Sequence, residues 1–499
     1  MSGVLIVGAG FAGLAAAQTL RRAGMSPVIL LEAGSHVGGR ARTLRLDRGL
    51  ALEMGATWIH GLELGGGEGP NPVLRAAQRA QLLGARPRLS VWEDSHFLVQ
   101  GASGLLTQEQ AACIMHSIAA FEEGLDAAGG AEEGATLGDV LQAAWDKLSS
   151  GQKVAQHADL ARRVWAWRES LQRAIDGTDC SGDLSATAAA RYAAAVQNTN
   201  APIPGGFQAV AEAMAEGLDV RLHRRVTGLD WGAEGGACAT CEDGSRHAAA
   251  AAIVTVSLGV LKAQHETLFQ PGLPARTRKA MAQLRMGTVD KLFLEFYDAE
   301  DSALDREDGA APAAAPDLGN GADVVTYALL WDPASTASAD SALPDWARGV
   351  FSIGFGGAEV KQGAQEPGAS PRPVGVVWLA GEAARAVEAA SDEEVLGTLR
   401  AVFRAFPGAV LPAGASWRRV RLHRSAWGSD PLFRGSYSYP GPSAAADAGA
   451  VLGEALTPPG VARPTLVLAG EACAVEYFGT THGAMRSGEA AAAKLLSSL

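Results

Sequence analysis

Several residues in this chain have types and spacings that could do chemistry. Gly8, Gly10 and Gly13 form G-x-G-x-x-G, with Phe11 and Ala12 between the glycines, directly after the apolar run "VLIV". Such a turn brings backbone N–H groups and a helix N-terminus up to a pyrophosphate. Glu32 ends the next apolar run, where a carboxylate accepts ribose hydroxyls. "GGRAR" follows closely and offers Gly39, Arg40 and Arg42 to the same phosphates. Lys291 opens the strand-like run of "MGTVDKLFLEF". Alternation puts Leu292, Leu294 and Phe296 on one face and Lys291, Phe293 and Glu295 on the other. That second face is either solvated or aimed into a cavity. His60 of "WIHG" is of a type that exchanges protons near neutral pH, or is a core histidine. Tyr437 of "GSYSY" and Tyr477 of "EYFGTTHGA" could wall a cavity, or be core aromatics with bonded hydroxyls.

The elements that must position these groups follow from pattern. "GVLIVGAGFAGLAAAQTLRRAG" reads as strand, tight turn and helix, and "SPVILLEAG" as a second strand. Residues 73 to 195 carry helical spacing. Short strands and turns occupy 217 to 262, and Ser391 caps a helix within 376–407. "LVLAGE" places Gly470 and Glu471 at a strand end, and a terminal helix starts near Thr481. Two stretches rich in Ala, Pro and Gly, 301–323 and 357–373, read as mobile insertions.

Composition narrows the class. At 499 residues, two or three domains are expected, and 47 % hydrophobic residues can bury a large core. The formal net charge of −12 argues against a nucleic-acid surface and suits a cationic partner. No apolar run of about 18 residues is present, so no membrane span is expected. The first strand starts at Val4, which leaves no room for a signal peptide. An intracellular protein is expected. Its five cysteines then form no disulfide framework, and Cys238 and Cys241 lie on a strand with no second pair to complete a metal site. No metal is expected.

Longer motifs carry a resemblance. "EMGATWIHG", "NPV", "IVTVSLGVLK", "MGTVDKLFLEF", "WLAGEAAR" and "SAWGSDPLFRGSYSY" run in order along the chain, ending in "EYFGTTHGA". In these the chain resembles the flavin-containing polyamine oxidases, of the spermine oxidase and N1-acetylpolyamine oxidase, back-conversion type. The resemblance covers nearly the whole chain and is weakest over 80 to 195. It implies an α/β amine oxidase fold. A glutathione-reductase-like FAD-binding Rossmann domain (1–80, 196–285 and 430–499) would stand beside an α+β substrate domain with a mixed sheet (81–195 and 286–429), both discontinuous in sequence.

The resemblance also implies roles. FAD would be held by Gly8, Gly10, Phe11, Ala12, Gly13, Glu32, Gly39 and Arg40. Gly55, Ala56, Thr57 and Trp58 would add to that set, as would Val226, Gly470, Glu471, Thr480 and Thr481. Lys291 would hold a water against flavin N5, with His60 beside the substrate amine and Tyr437, Tyr477 and Thr480 flanking it. Methionine at Lys291 would on this view keep folding and FAD content. Hydride would pass from the carbon beside a secondary amine to flavin N5, giving an aldehyde, a shorter amine and, with oxygen, hydrogen peroxide. No cysteine lies between Cys241 and Cys473, so the FAD is expected to be non-covalent. The partners expected are a polyamine and oxygen, with the protein a monomer or weak homodimer in the cytoplasm. The terminal Ser497-Ser498-Leu499 also approaches a peroxisomal Ser-Lys-Leu address.

Two departures stand out. The loop "GLELGGGEGP" after His60 is lengthened, and Phe478 and Gly479 replace a tyrosine and a serine found in spermine oxidase. Strict spermine selectivity is therefore not expected. Other readings are a histone-demethylase-like or monoamine-type FAD oxidase, or a flavin-binding scaffold without turnover.

Overall fold

The computed structural model describes residues 2–64, 69–83, 95–195, 200–232, 236–297, 325–333, 343–356, 360–362, 372–412 and 415–498. The segment 301–323 and residues 65–68 of the lengthened loop lie outside these. Of 357–373, Val360–Gln362 is a strand that pairs with Leu50–Glu53.

Two six-stranded sheets organise the chain. The first runs in the order Asp219–Arg221, Val28–Leu31, Val4–Val7, Ala251–Val254, Leu466–Leu468 and Ala455–Leu456. All neighbours are parallel except the last pair. A parallel sheet is buried on both faces, which is why "VLIV" is continuously apolar rather than alternating. Val4 and Ile6 pack beneath the helices Phe11–Arg22 and Thr481–Leu496, while Leu5 and Val7 pack toward Leu229 and Ala239 of an antiparallel four-stranded sheet. The two helices meet closely. A Cβ at Gly488 would lie 2.0 Å from the Ala12 carbonyl oxygen.

The second sheet is mixed. Its order is Val420–Arg424, Val289–Phe296, Val374–Ala380, Ser352–Phe355, Val325–Leu330 and Ser95–Val99. Only the last pair is parallel. Ser95–Val99 is a strand inside the stretch whose spacing predicts helix. The remaining described elements there are helical: Gln108–Ala127 and Leu137–Ser149 start on Thr107 and Thr136 capping boxes, and Ala158–Asp176 stops where Gly177 adopts φ 73°. Every residue of Val289–Phe296 is buried, so the solvated reading of the Lys291 face is wrong. Leu292, Leu294 and Phe296 join one core cluster and Phe293 another, because the sheet is covered on both sides. Glu295, with no exposure, is matched by Arg372, Arg421 and His423.

Gly488→Val should force apart the two helices that cover the first sheet. The expected loss is about 3 kcal/mol of stability, read as a lower midpoint of chemical unfolding. An unchanged midpoint would mean that the helices separate freely.

Candidate active site

A single cavity of about 1340 Å³ reaches from the G-x-G-x-x-G turn to the helices Gln108–Ala127 and Ala158–Asp176. At one end it is lined by Gly8, Gly10, Phe11, Ala12, Glu32, Gly39, Arg40 and Val226. The helix Phe11–Arg22 begins on Gly10 with no side-chain cap, so its first-turn donors face a ligand site rather than a capping oxygen. The two Glu32 oxygens accept from Ala9 N and Gly34 N, each at 2.7 Å, which fixes the carboxylate and leaves lone pairs for hydroxyl donors. Arg40 and Glu471 form an ion pair at 3.1 Å, and both line the cavity. Glu471 also accepts from Ser438 Oγ at 2.6 Å and Gly479 N at 2.9 Å. Gly470, Thr480 and Thr481 line the same wall, where Thr480 caps the helix Thr481–Leu496 by accepting from Gly483 N. Gly13 packs against Gly8 and is not a lining residue. Arg42 lines a neighbouring pocket instead.

Gly55, Ala56, Thr57 and Trp58 form the middle of the wall, and Lys291 explains their position. Its side chain is 2 % exposed. Its ammonium donates to Glu53 O at 2.8 Å, Gly55 O at 2.6 Å and Thr57 Oγ1 at 2.6 Å. It also stands 4.4 Å from the ring centroid of Trp378, its register partner on the next strand. These three bonds engage all three ammonium donors, so a water held here has to displace one of them. Trp427 braces the same loop by donating to Met54 O at 3.1 Å. The turn carrying Trp427 is held by two carboxyl groups. Asp290 accepts from Ser425 Oγ and Trp427 N, and Glu388 from Gly428 N and Ser429 N. The other Asp290 oxygen is buried, meets no donor and faces Glu388. Burial, then this neighbour, push the Asp290 carboxyl well above the usual range, so that it keeps its proton.

His60 lines the cavity from the strand Trp58–His60, which pairs with Asn200–Pro202. Its Nδ1 donates to Asn200 Oδ1 at 2.9 Å, leaving the Nε2 lone pair free to accept a proton. Burial lowers its pKa, against the opposing pull of Asn200, so the ring is neutral. "NPV" has its own purpose: Asn71 caps the helix Pro72–Arg79 and donates to His60 O at 2.9 Å. Tyr437 lines the cavity and its hydroxyl donates to Ala174 O. Tyr477 is not among the lining residues. It packs with Leu64 and lies edge-on to His482, with ring centroids 4.9 Å apart. Burial pushes His482 down to about 3. Phe478 takes the cavity wall instead, 5.2 Å from the ring of Tyr192. Asn200, Trp378, Tyr192 and Asp176 are cavity residues that the sequence reading did not single out. Asp176 had a signal in its place just before Gly177, but nothing local gave its direction.

The comparisons define the class. The chain belongs to the flavin containing amine oxidoreductase family, which it matches over residues 11–496. It is 32 % identical over 541 residues to polyamine oxidase 1 of Oryza sativa subsp. japonica, covering 99 % of this chain and 96 % of that protein. It is 31 % identical over 533 residues to the peroxisomal N(1)-acetyl-spermine/spermidine oxidase of Homo sapiens, covering 99 % and 94 %. Wild-type putrescine oxidase bound to putrescine superposes with a TM-score of 0.65 at 21 % identity, over 99 % of both chains, and bears on the fold alone. The amine oxidase fold and the sequence resemblance are thus borne out, and the family's cofactor is a flavin.

Two outcomes follow. Lys291→Met removes the ammonium from the Glu53 and Gly55 carbonyls and the Thr57 hydroxyl, with Gly55 O keeping only a 3.3 Å bond from Thr57 Oγ1, and the expected result is a loss of about 2–3 kcal/mol rather than intact folding. Denaturant titration measures it. Asp290 has a folded pKa above its unfolded value, so its contribution is fully present below about pH 4 and is lost as pH rises toward the folded value. Asparagine can keep the bonds to Ser425 and Trp427 and donate to Glu388. Asp290→Asn should therefore gain in melting temperature over the native protein at pH 8 relative to pH 5. Equal shifts at both pH values would mean that no shared proton exists.

Proposed function

We propose that this protein is an FAD-dependent polyamine oxidase. The observation that carries the reading is the continuity of the cavity: a dinucleotide cradle at one end opens into a tunnel that is aromatic and carries carboxylates. Glu32 and Val226 would hold the adenosine part of FAD, and the uncapped helix at Phe11 with Arg40 the phosphates. Glu471 and the N-terminus of the helix Thr481–Leu496 would lie toward the ribityl chain and the ring. No cysteine lines the cavity among the described residues, which supports non-covalent binding. All strands of the first sheet fall within 1–80, 196–285 and 430–499, and all strands of the second within 81–195 and 286–429, which supports that division into FAD and substrate domains.

Bound there, the flavin supplies the two-electron acceptor for oxidising the carbon–nitrogen bond, with oxygen as final acceptor. The protein must deliver a neutral amine, because an ammonium has no lone pair to assist, and a free alkylamine resembles lysine with a pKa of about 10.4. Trp378, Tyr437 and Phe478 exclude water around that nitrogen and so lower its pKa. His60 Nε2 receives the proton, with Asn200 holding the ring in the tautomer that leaves this nitrogen open. Asp176, which lines the same cavity from the end of the helix Ala158–Asp176, accepts a second, charged nitrogen. Lys291 fixes the Glu53–Thr57 backbone in the cavity wall and would supply a positive charge that favours negative charge on a reduced flavin held there. The products on this reading are an aldehyde, a shorter amine and hydrogen peroxide. For location the proposal is the cytoplasm, with the peroxisome second.

Two measurements test this. Acid precipitation should release intact FAD into the supernatant, whereas flavin staying with the pellet would mean a covalent link. Mixing the oxidised protein anaerobically with spermine, spermidine and N1-acetylspermine should bleach the flavin with at least one of them. A flavin that stays oxidised with all three ends the polyamine reading.

A further inference from the structure

One wall of the cavity carries a polar ladder of which the proposed oxidation uses only the last residue, Asp176. Arg168, Gln172 and Asp176 are four apart on the helix Ala158–Asp176, so they stack on one face, and all three line the cavity. Arg168 Nε donates to Glu122 Oε1 at 2.8 Å, from the neighbouring helix Gln108–Ala127. Arg168 Nη1 donates to Gln172 Oε1 at 3.0 Å, and Gln172 Nε2 donates to Asp176 Oδ2 at 2.9 Å. The direction is forced. A guanidinium only donates, so it takes the carbonyl end of Gln172 and turns the amide N–H groups toward Asp176. Arg168 is itself held, 7 % exposed and 4.7 Å over the Phe121 ring.

Asp176 depends on that donor. It is the last residue of its helix, where the partial negative charge of the C-terminus opposes an anion. Burial is the main cause that pushes its carboxyl up, to about 7, while the Gln172 bond and the Arg168 charge pull the other way. Tyr437 offers no relief, since its hydroxyl donates to Ala174 O. The other titratable groups on this part of the cavity wall are Tyr192 from the helix Ala186–Ala195, and Glu122 and Asp126 from the helix Gln108–Ala127 that packs beside it. Gln172 is the one hydrogen-bond donor that reaches Asp176 among the described residues. A carboxylate with one neutral donor, turned into a cavity, is completed by a cation that enters the cavity.

We propose that Gln172, backed by Arg168 and Glu122, is a positioning residue that aims Asp176 into the tunnel, so that the site selects amines with a second cationic group at that depth over amines whose far end is uncharged. The inference rests on the polyamine reading above and adds to it a device for discrimination.

The test compares 1,8-diaminooctane with 1-aminooctane, which share a chain length and differ in the second ammonium. Binding to the flavin-loaded protein is measured by calorimetry from pH 6 to 9. The native protein should prefer the diamine by about tenfold at pH 8.5. That preference should fade as pH drops through about 7 and Asp176 takes up a proton. In Gln172→Met the preference should shrink to below about threefold at pH 8.5 and its onset should move to higher pH. In Asp176→Asn it should be absent throughout. A native protein that binds both amines equally overturns the proposal. So does a Gln172→Met protein that weakens both amines alike with the pH onset unmoved, because that is what a merely structural glutamine would do. Failure of every polyamine to bleach the flavin would sink the polyamine reading and leave this binding ratio to be judged independently.

Discussion

The Lys291 ammonium is the interaction on which the rest of the site depends. A buried cation is costly unless each of its donors is met. Here the three acceptors come from residues Glu53 to Thr57, far away in the chain, and the fourth side is the Trp378 ring. The strand of the second sheet therefore cannot move without the loop that follows the strand Leu50–Glu53. That loop is tied again at Met54 by Trp427, and the Glu53 carboxylate accepts from Phe207 N and Thr43 Oγ1. One charge thus anchors the loop of residues Glu53 to Thr57 in the cavity wall to the second sheet.

The two ends differ in how they treat charge. Around Glu32, Arg40 and Glu471, charged groups are matched to backbone donors or to each other. Toward the helices, His60 is kept neutral and Asp176 is left with a single neutral donor. The first arrangement suits a ligand bound by fixed dipoles. The second suits a ligand that brings its own charge, and the protein's overall charge of −12 favours the approach of a cation.

What was legible in the sequence was local. The strand, turn and helix over Val4–Arg22, the helix capped by Ser391 and the helix beginning at Thr481 were readable, because the residues that make them are neighbours in the chain. The buried setting of Lys291 was one of two open readings, since alternation separates two faces and does not say what covers the second. Asn200 and Trp378 could not be found that way: they reach the site through strand pairing with His60 and Lys291. Ser95–Val99 was missed because its partner, Val325–Leu330, lies more than two hundred residues on. Tyr477 and Phe478 are adjacent, and only the backbone of that loop decides which of them faces the cavity.

Hydrogen exchange on the flavin-loaded protein, native and Lys291→Met, tests the central claim most directly. Amides from Met54 to His60 should lose protection in the variant, while those of Val4–Val7 in the first sheet should keep theirs. Unchanged protection from Met54 to His60 would contradict the account, because it would mean that the loop holds its place without the ammonium.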